Sequence, residues 1–145
     1  MARVTFLLGL AGSGKTHRAE QIARDTGAKI FEGIASDLNP GMLPEIIQRL
    51  KDGKSCIVEE IAFCIPAQRE MVIAQLGASV PDAEIEWVCF ENDLDSANWN
   101  VRHRKTKVNI EGHIAWNKRW FNLYKYPDGA VPIPITRIAP DGPGP

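Results

Sequence analysis

The sequence predicts an α/β protein, a three-layer α/β/α sandwich built on a mostly parallel five-stranded sheet. Three observations carry that reading. Apolar, β-branched runs alternate with helical patterns from residue 3 to residue 138, and such alternation builds parallel sheets with helices on both faces. A glycine-rich turn joins the first run to the first helical pattern. The chain has 145 residues, 44% of them hydrophobic and 24% charged, which suits one domain with its own core.

The elements follow in order. Arg3–Leu8 is apolar and β-branched and ends at Gly9, so it reads as a buried strand. Lys15–Thr26 places Ala19, Ile22 and Ala23 on one helical face, with Gly27 as its stop. Ala28–Ile34 is a second strand. Leu43–Leu50 has helical spacing, with Pro44 tolerated in the first turn. Ser55–Ile61 is a third strand. Pro66 opens a helix that carries Met71, Val72 and Leu76 and stops at Gly77. Ile85–Phe90 is a fourth strand, and Asp93–Lys107 and Glu111–Tyr124 are helical. Val131–Ile138 is a fifth extended segment, and Pro132 and Pro134 restrict it to a sheet edge. This gives one domain over residues 1–138, with a lid around residues 93–125. Residues 139–145 hold no core-forming side chains and are expected to be disordered.

Several classes are set aside. The apolar runs are too short for a transmembrane span, and residues 1–5 lack the three regions of a signal peptide. Cys56, Cys64 and Cys89 form no CxxC pair and have no histidine cluster beside them, so neither a disulfide framework nor a zinc site is expected. A reducing, cytoplasmic setting follows. The net charge of −1 does not suit a general nucleic-acid binder. It is unevenly spread, however: residues 1–95 balance at −6 and residues 96–125 at +6. The late basic segment suggests a local anion site.

One motif carries chemistry. Gly9-Leu-Ala-Gly-Ser-Gly-Lys15-Thr16 fits GxxxxGK[ST] at every fixed position, between a predicted strand and a predicted helix. Gly9, Gly12 and Gly14, with Ser13 between the last two, let successive backbone N–H groups turn inward as an anion nest. The helix N-terminus adds partial positive charge. Lys15 is a mobile cation suited to β- and γ-phosphates, and Thr16 offers a hydroxyl to Mg²⁺. The segment resembles the Walker A motif of P-loop NTPases. The short loops and small size are similar to the nucleotide- and small-molecule-kinase branch, including polynucleotide-kinase-like and zeta-toxin-like proteins. The likeness covers roughly residues 3–107 and implies the P-loop NTPase fold, with ATP and Mg²⁺ as ligands.

The resemblance implies further residues. A P-loop needs an acidic group near the metal at the end of a neighbouring strand. Glu59, which directly follows the apolar residues, is the first choice and Glu60 the second; adjacent strand residues face opposite ways, so only one of them points at the phosphates. Kinases of this branch carry lid arginines that close on the phosphates, and Arg102 and Arg104 lie where such a lid falls. Two residues apart, they cannot share a helix face unless the helix unwinds there. In the polynucleotide-kinase-like proteins an Asp after the second strand orients the acceptor hydroxyl. Asp37 occupies that place, with Glu32 as the alternative. No arginine closely follows Asp37, a departure that weighs against a nucleic-acid 5′-end as acceptor. Trp116, Trp120 and Leu123 form a stripe at helical spacing that reads as core rather than as a base platform, and His113 and Asn117 lie one turn apart.

The expected function is therefore transfer of the γ-phosphoryl group of Mg·ATP to an unidentified hydroxyl acceptor. A nucleotide-dependent switch that hydrolyses slowly or not at all is the alternative. A nucleic-acid 5′-end kinase is a further one, favoured by the basic segment and disfavoured by the overall charge.

Overall fold

The computed structural model describes residues 2–32, 41–105 and 109–138. Strands β1 (Arg3–Leu8), β2 (Lys29–Glu32), β3 (Cys56–Glu59) and β4 (Glu84–Cys89) alternate with helices α1 (Lys15–Thr26), α2 (Met42–Lys51) and α3 (Pro66–Ser79). Two further helices, α4 (Leu94–His103) and α5 (Ile110–Phe121), follow β4. The sheet has the order β2-β3-β1-β4, and every pairing is parallel.

The central strand shows why the sheet is covered on both sides. Val4, Phe6 and Leu8 alternate with Thr5 and Leu7, and all five are buried. Phe6 packs edge-on against Phe63 and stacks on Trp87. A strand buried on both faces reads as a continuous apolar run, the signal that locates β1 in the sequence.

Three expectations are corrected. Among the described residues the sheet has four strands, not five. Residues 131–138 meet β4 at one parallel bridge, Phe90 to Ile133. Pro132 and Pro134 lack the N–H groups needed to extend that ladder. The helix from Pro66 runs through Gly77 and ends at Ser79. Its stop is Val80, which precedes Pro81 and is thereby biased away from helical geometry. The helix over residues 93–107 is shorter, since α4 ends at His103 and Arg104 is already extended. The disordered tail expected over residues 139–145 lies outside the described residues.

Between β3 and α3 the chain makes a 3₁₀ turn at Ile61–Cys64 that the sequence pattern does not announce. It buries Ala62, Phe63 and Cys64 beneath the glycine-rich turn. Cys56, Cys64 and Cys89 are free and buried, and burial pushes the Cys64 thiol up to about 12. Among the described residues no helix is long and apolar enough to cross a membrane.

Helix α4 starts at Asp93, whose carboxylate accepts from the Ser96 backbone N–H at 3.1 Å. Ser96, through its side chain first and its backbone N–H second, also holds the Asp93 carboxyl below its usual range. Asp93→Ala is expected to cost about 1 kcal/mol, the usual cost of losing an N-cap. Urea unfolding of the variant measures it, and an unchanged midpoint would show that the cap does not anchor α4.

Candidate functional site

The site is built on the turn between β1 and α1. Gly12 and Gly14 both have positive φ, 86° and 106°, a region that residues with a Cβ enter only at a cost. At Gly12 space is also limiting, since a Cβ there would lie 2.3 Å from the Ala97 carbonyl oxygen of α4. The turn is thus wrapped tightly against α4.

Two buried asparagines hold it. Asn117 of α5 accepts from the Ala11 N–H and donates to the Ala11 carbonyl, both at 2.8 Å. Its amide also donates to Asn98 at 3.1 Å. Asn100 of α4 donates to the Gly12 carbonyl at 2.8 Å and to the Thr136 carbonyl at 2.9 Å, and accepts from Ile138 N–H at 2.8 Å. Each amide is satisfied, as burial requires. The spacing of His113 and Asn117 places them near one another on a helix. Only the fold shows that Asn117 meets the glycine-rich turn.

Lys15 lies buried under the turn. Its ammonium donates to the carbonyls of Gly9 and Leu10 at 2.7 and 2.9 Å. Burial pushes its pKa down, and Glu59 is the largest influence opposing that shift. The Thr16 hydroxyl donates to Glu59 at 2.7 Å. Desolvation pushes the Glu59 carboxyl up, against the pull of the Thr16 hydrogen bond and of Lys15. The other Glu59 oxygen and the Ser13 hydroxyl are buried and meet no partner among the described residues.

Two clefts flank the turn. One, of about 670 Å³, is lined by Lys15, Glu32, Glu59, Glu60, His113 and Trp116 among others. The other, of about 570 Å³, lies against Ser13, His17, Phe90, Asn100, Ile133 and Ile138. The first cleft corrects the reading of the aromatic stripe. Of the stripe, only Trp120 packs against the core; Trp116 is 49% exposed and Leu123 46%, and the side chain that α5 buries is Asn117. Trp116 and Trp120 stack at 5.8 Å along the cleft wall. Helical spacing located the stripe but could not show that the polar residue beside it faces inward.

The remaining candidates divide. Glu59 and Glu60 both line the first cleft, and Glu59 is the one bonded to Thr16. Arg102 is exposed on the last turn of α4. Arg104, beyond the helix end, donates through Nη2 to His113 Nδ1 at 2.6 Å. Asp37 lies outside the described residues.

Comparison with solved structures gives the fold a context. A gluconokinase from Sinorhizobium meliloti superposes with a TM-score of 0.62 at 18% identity, over 94% of this chain and 84% of that one. A sugar kinase from Janibacter sp. gives 0.56 at 15%, over 97% and 89%. A protein from Eubacterium ventriosum gives 0.56 at 12%, over 94% and 92%. The chain shares their fold. No protein-family model and no curated protein matches the sequence.

The asparagine clamp makes a direct prediction. Asn117→Ala leaves both backbone groups of Ala11 without their partner, and one lost buried polar partner costs about 1–3 kcal/mol. Urea unfolding should show a loss in that range. A loss below about 0.5 kcal/mol, the level of an ordinary surface change, would mean that the turn is held by other contacts.

His113 adds a pH dependence. A guanidinium only donates, so Nδ1 is the acceptor and the ring proton sits on Nε2. Burial, then Arg104 and Lys15, push the His113 pKa down. As pH falls, the unfolded chain therefore takes up this proton before the folded one does, and stability drops. Between about pH 7 and the depressed folded value, wild type should lose stability faster than His113→Gln. Parallel curves for the two proteins would show that the histidine is not held neutral.

Proposed function

We propose that the chain is a P-loop phosphotransferase that moves the γ-phosphoryl group of Mg·ATP to a hydroxyl acceptor. The observation that carries this reading is the 2.7 Å hydrogen bond from Thr16 to Glu59. It sets a hydroxyl beside a carboxylate at the mouth of a glycine-rich turn, next to a buried ammonium. The kinase fold of the structural neighbours supports the same reaction class.

The residues present suit these ligands. The unpartnered Ser13 hydroxyl and Glu59 oxygen are polar atoms buried at the turn itself. Among the described residues no cluster of three or more His, Cys, Asp or Glu could hold a metal ion. Thr16 and Glu59 would therefore hold Mg²⁺ only jointly with phosphate oxygens, the usual arrangement for this ion. Bound there, Mg²⁺ supplies neutralisation of the charge on the β- and γ-phosphate oxygens.

The chain's own residues divide the rest of the work. The N–H groups of Gly12 and Gly14, with the N-terminal end of α1, cradle phosphate, while Lys15 exchanges its carbonyl partners for phosphate oxygens. Arg104, oriented by His113, is the lid cation placed beside the first cleft. Glu32, at the end of β2, lines that cleft and orients the acceptor hydroxyl, with Asp37 as the other candidate. The second cleft, walled by Phe90, Ile133 and Ile138, takes the base. The cleft carboxylates oppose a polyanionic acceptor such as a nucleic-acid end.

Calorimetry and turnover test the reading together. Lys15→Ala should weaken ATP binding about tenfold or more, as expected for a lost charge-assisted contact. Glu59→Gln should weaken the tightening by Mg²⁺ more than Glu60→Gln does. Arg104→Ala should keep most ATP affinity and lower kcat by about 10³, whereas exposed Arg102→Ala should change little. Unchanged ATP binding in Lys15→Ala would overturn the nucleotide site. Unchanged kcat in Arg104→Ala would remove this arginine from transfer.

A further inference from the structure

His113 stands where the two helices after β4 meet the glycine-rich turn. Its backbone N–H donates to the Asn109 carbonyl at 3.0 Å, in the first turn of α5. That turn is tight: Asn109 sits at φ 51°, and a Cβ at Gly112 would lie 2.3 Å from the Asn109 side-chain oxygen. One turn further on, Asn117 fastens α5 to Ala11 through two hydrogen bonds of 2.8 Å. Residues four apart share a helix face, so the imidazole is fixed against the same turn that holds Lys15. Arg104 approaches from a different kind of backbone. It lies past the end of α4 in extended conformation, and its Nη2 donates to His113 Nδ1 at 2.6 Å.

Among the described residues, charged groups reach the ring from several elements. Lys15 of α1, Glu32 of β2, Glu59 at the end of β3 and Glu60 after it line the first cleft together with His113. Arg104 faces it from beyond α4. On α5 itself Glu111 is two positions away, which puts it on another face. Burial, then Arg104 and Lys15, favour the neutral ring. Only a neutral imidazole has a lone pair on Nδ1 to offer a guanidinium, which donates through every N–H it carries. A proton taken from solvent onto Nδ1 turns that acceptor into a donor and sets two cations face to face, so the hydrogen bond to Arg104 is lost. Resting on the phosphotransferase reading, we propose that His113 is the positioning residue for Arg104, and that one proton on its Nδ1 withdraws the arginine from the transferring phosphoryl group.

The proton acts on one step. A cation that meets the phosphoryl group only during transfer raises kcat and leaves ATP binding nearly untouched. Turnover therefore falls as pH falls through the His113 transition, by up to about tenfold per pH unit, while KM for ATP stays constant. The coupling also runs the other way. Without the Arg104 guanidinium beside it, the ring takes up its proton more readily, so its transition moves to higher pH.

Two measurements on the whole chain test this, one of them independent of turnover. In the ligand-free protein, nitrogen NMR of the imidazole follows tautomer and protonation directly. Wild type should carry its ring proton on Nε2, and the titration should move to higher pH in Arg104→Ala. ADP release from Mg·ATP, with water as acceptor, gives the pH profile of kcat. Where hydrolysis is too slow to follow, binding of aluminium fluoride with Mg·ADP, a mimic of the transferring group, reads the same contact. His113→Ala should lower kcat, or weaken the mimic, about 10- to 100-fold with ATP affinity near wild type. His113→Asn places an amide oxygen close to the site of Nδ1, so it should recover most of that loss and lack the acid limb. Adding His113→Ala to Arg104→Ala should cost nothing further, since both act through one contact. A titration unmoved by Arg104→Ala, a ring proton on Nδ1, or a purely structural His113→Ala, less stable but with unchanged kcat, would overturn the proposal. So would an acid limb that persists in His113→Asn, which would belong to a cleft carboxylate, Glu59 first, because burial pushes it up. In those cases calorimetric binding of ATP, lost in Lys15→Ala, would leave the phosphotransferase reading standing. Failure of ATP itself to bind would remove both.

Discussion

The candidate site depends on one constraint: the backbone of a glycine-rich turn must be held in shape while one side of it is buried in protein. Asn117 satisfies both the N–H and the carbonyl of Ala11, and Asn100 takes the carbonyl of Gly12. Within the turn the Ser13 N–H donates to the Leu10 carbonyl at 3.1 Å, and side-chain amides from α4 and α5 satisfy the backbone groups of Ala11 and Gly12 that this bond leaves open. The 2.3 Å limit between a Cβ at Gly12 and the Ala97 carbonyl shows how little room the arrangement leaves. Helices α4 and α5 therefore hold the glycine-rich turn in place, although Asn100 and Asn117 lie 88 and 106 positions beyond the residues they bind.

The same burial sets the electrostatics. Desolvation acts against the charge of Lys15 and against the charge of Glu59, pushing one pKa down and the other up. Each opposes the shift of the other, and Thr16 steadies the carboxylate. Charges held this way are poorly solvated and have incomplete partners, as the unpaired Glu59 oxygen shows. A strongly charged ligand that brings its own cation relieves both at once. The stability lost by burying these groups is thus linked to the affinity the site gains, a common relation between strain and function.

Much of this was legible in the sequence, because the informative signals were local. The run Arg3–Leu8, the glycines after it and the pattern over Lys15–Thr26 fix a strand, a turn and a helix with boundaries the structure reproduces. Glu59 could be ranked above Glu60 because it directly follows the apolar run Cys56-Ile57-Val58. What escaped was long-range. Asn117 meets Ala11 across 106 positions and Asn100 meets Gly12 across 88, and no periodicity encodes such a pairing. Trp120 packs against the core as expected, but Trp116 and Leu123 of the same stripe were misread for a related reason. Periodicity reports that residues share a helix face, while the partner of that face is set by the rest of the fold. On α5 the buried position went to an asparagine because the turn's backbone supplied the hydrogen bonds that make its burial possible.

The segment after α5 shows how a short chain can use one stretch twice. Beside β4 it makes a single bridge, with Ile133 N–H donating to Cys89 at 2.9 Å and Glu91 N–H donating back to Ile133 at 2.8 Å. That contact covers part of the strand's open edge, and the two prolines prevent it from offering a fresh ladder to another chain. Prolines also keep the segment extended, so Ile133 and Ile138 line the second cleft while Thr136 and Ile138 reach the Asn100 amide. The segment that does not continue as a fifth strand thus supplies both the Ile133 bridge to β4 and the Thr136 and Ile138 backbone groups that the Asn100 amide of α4 takes.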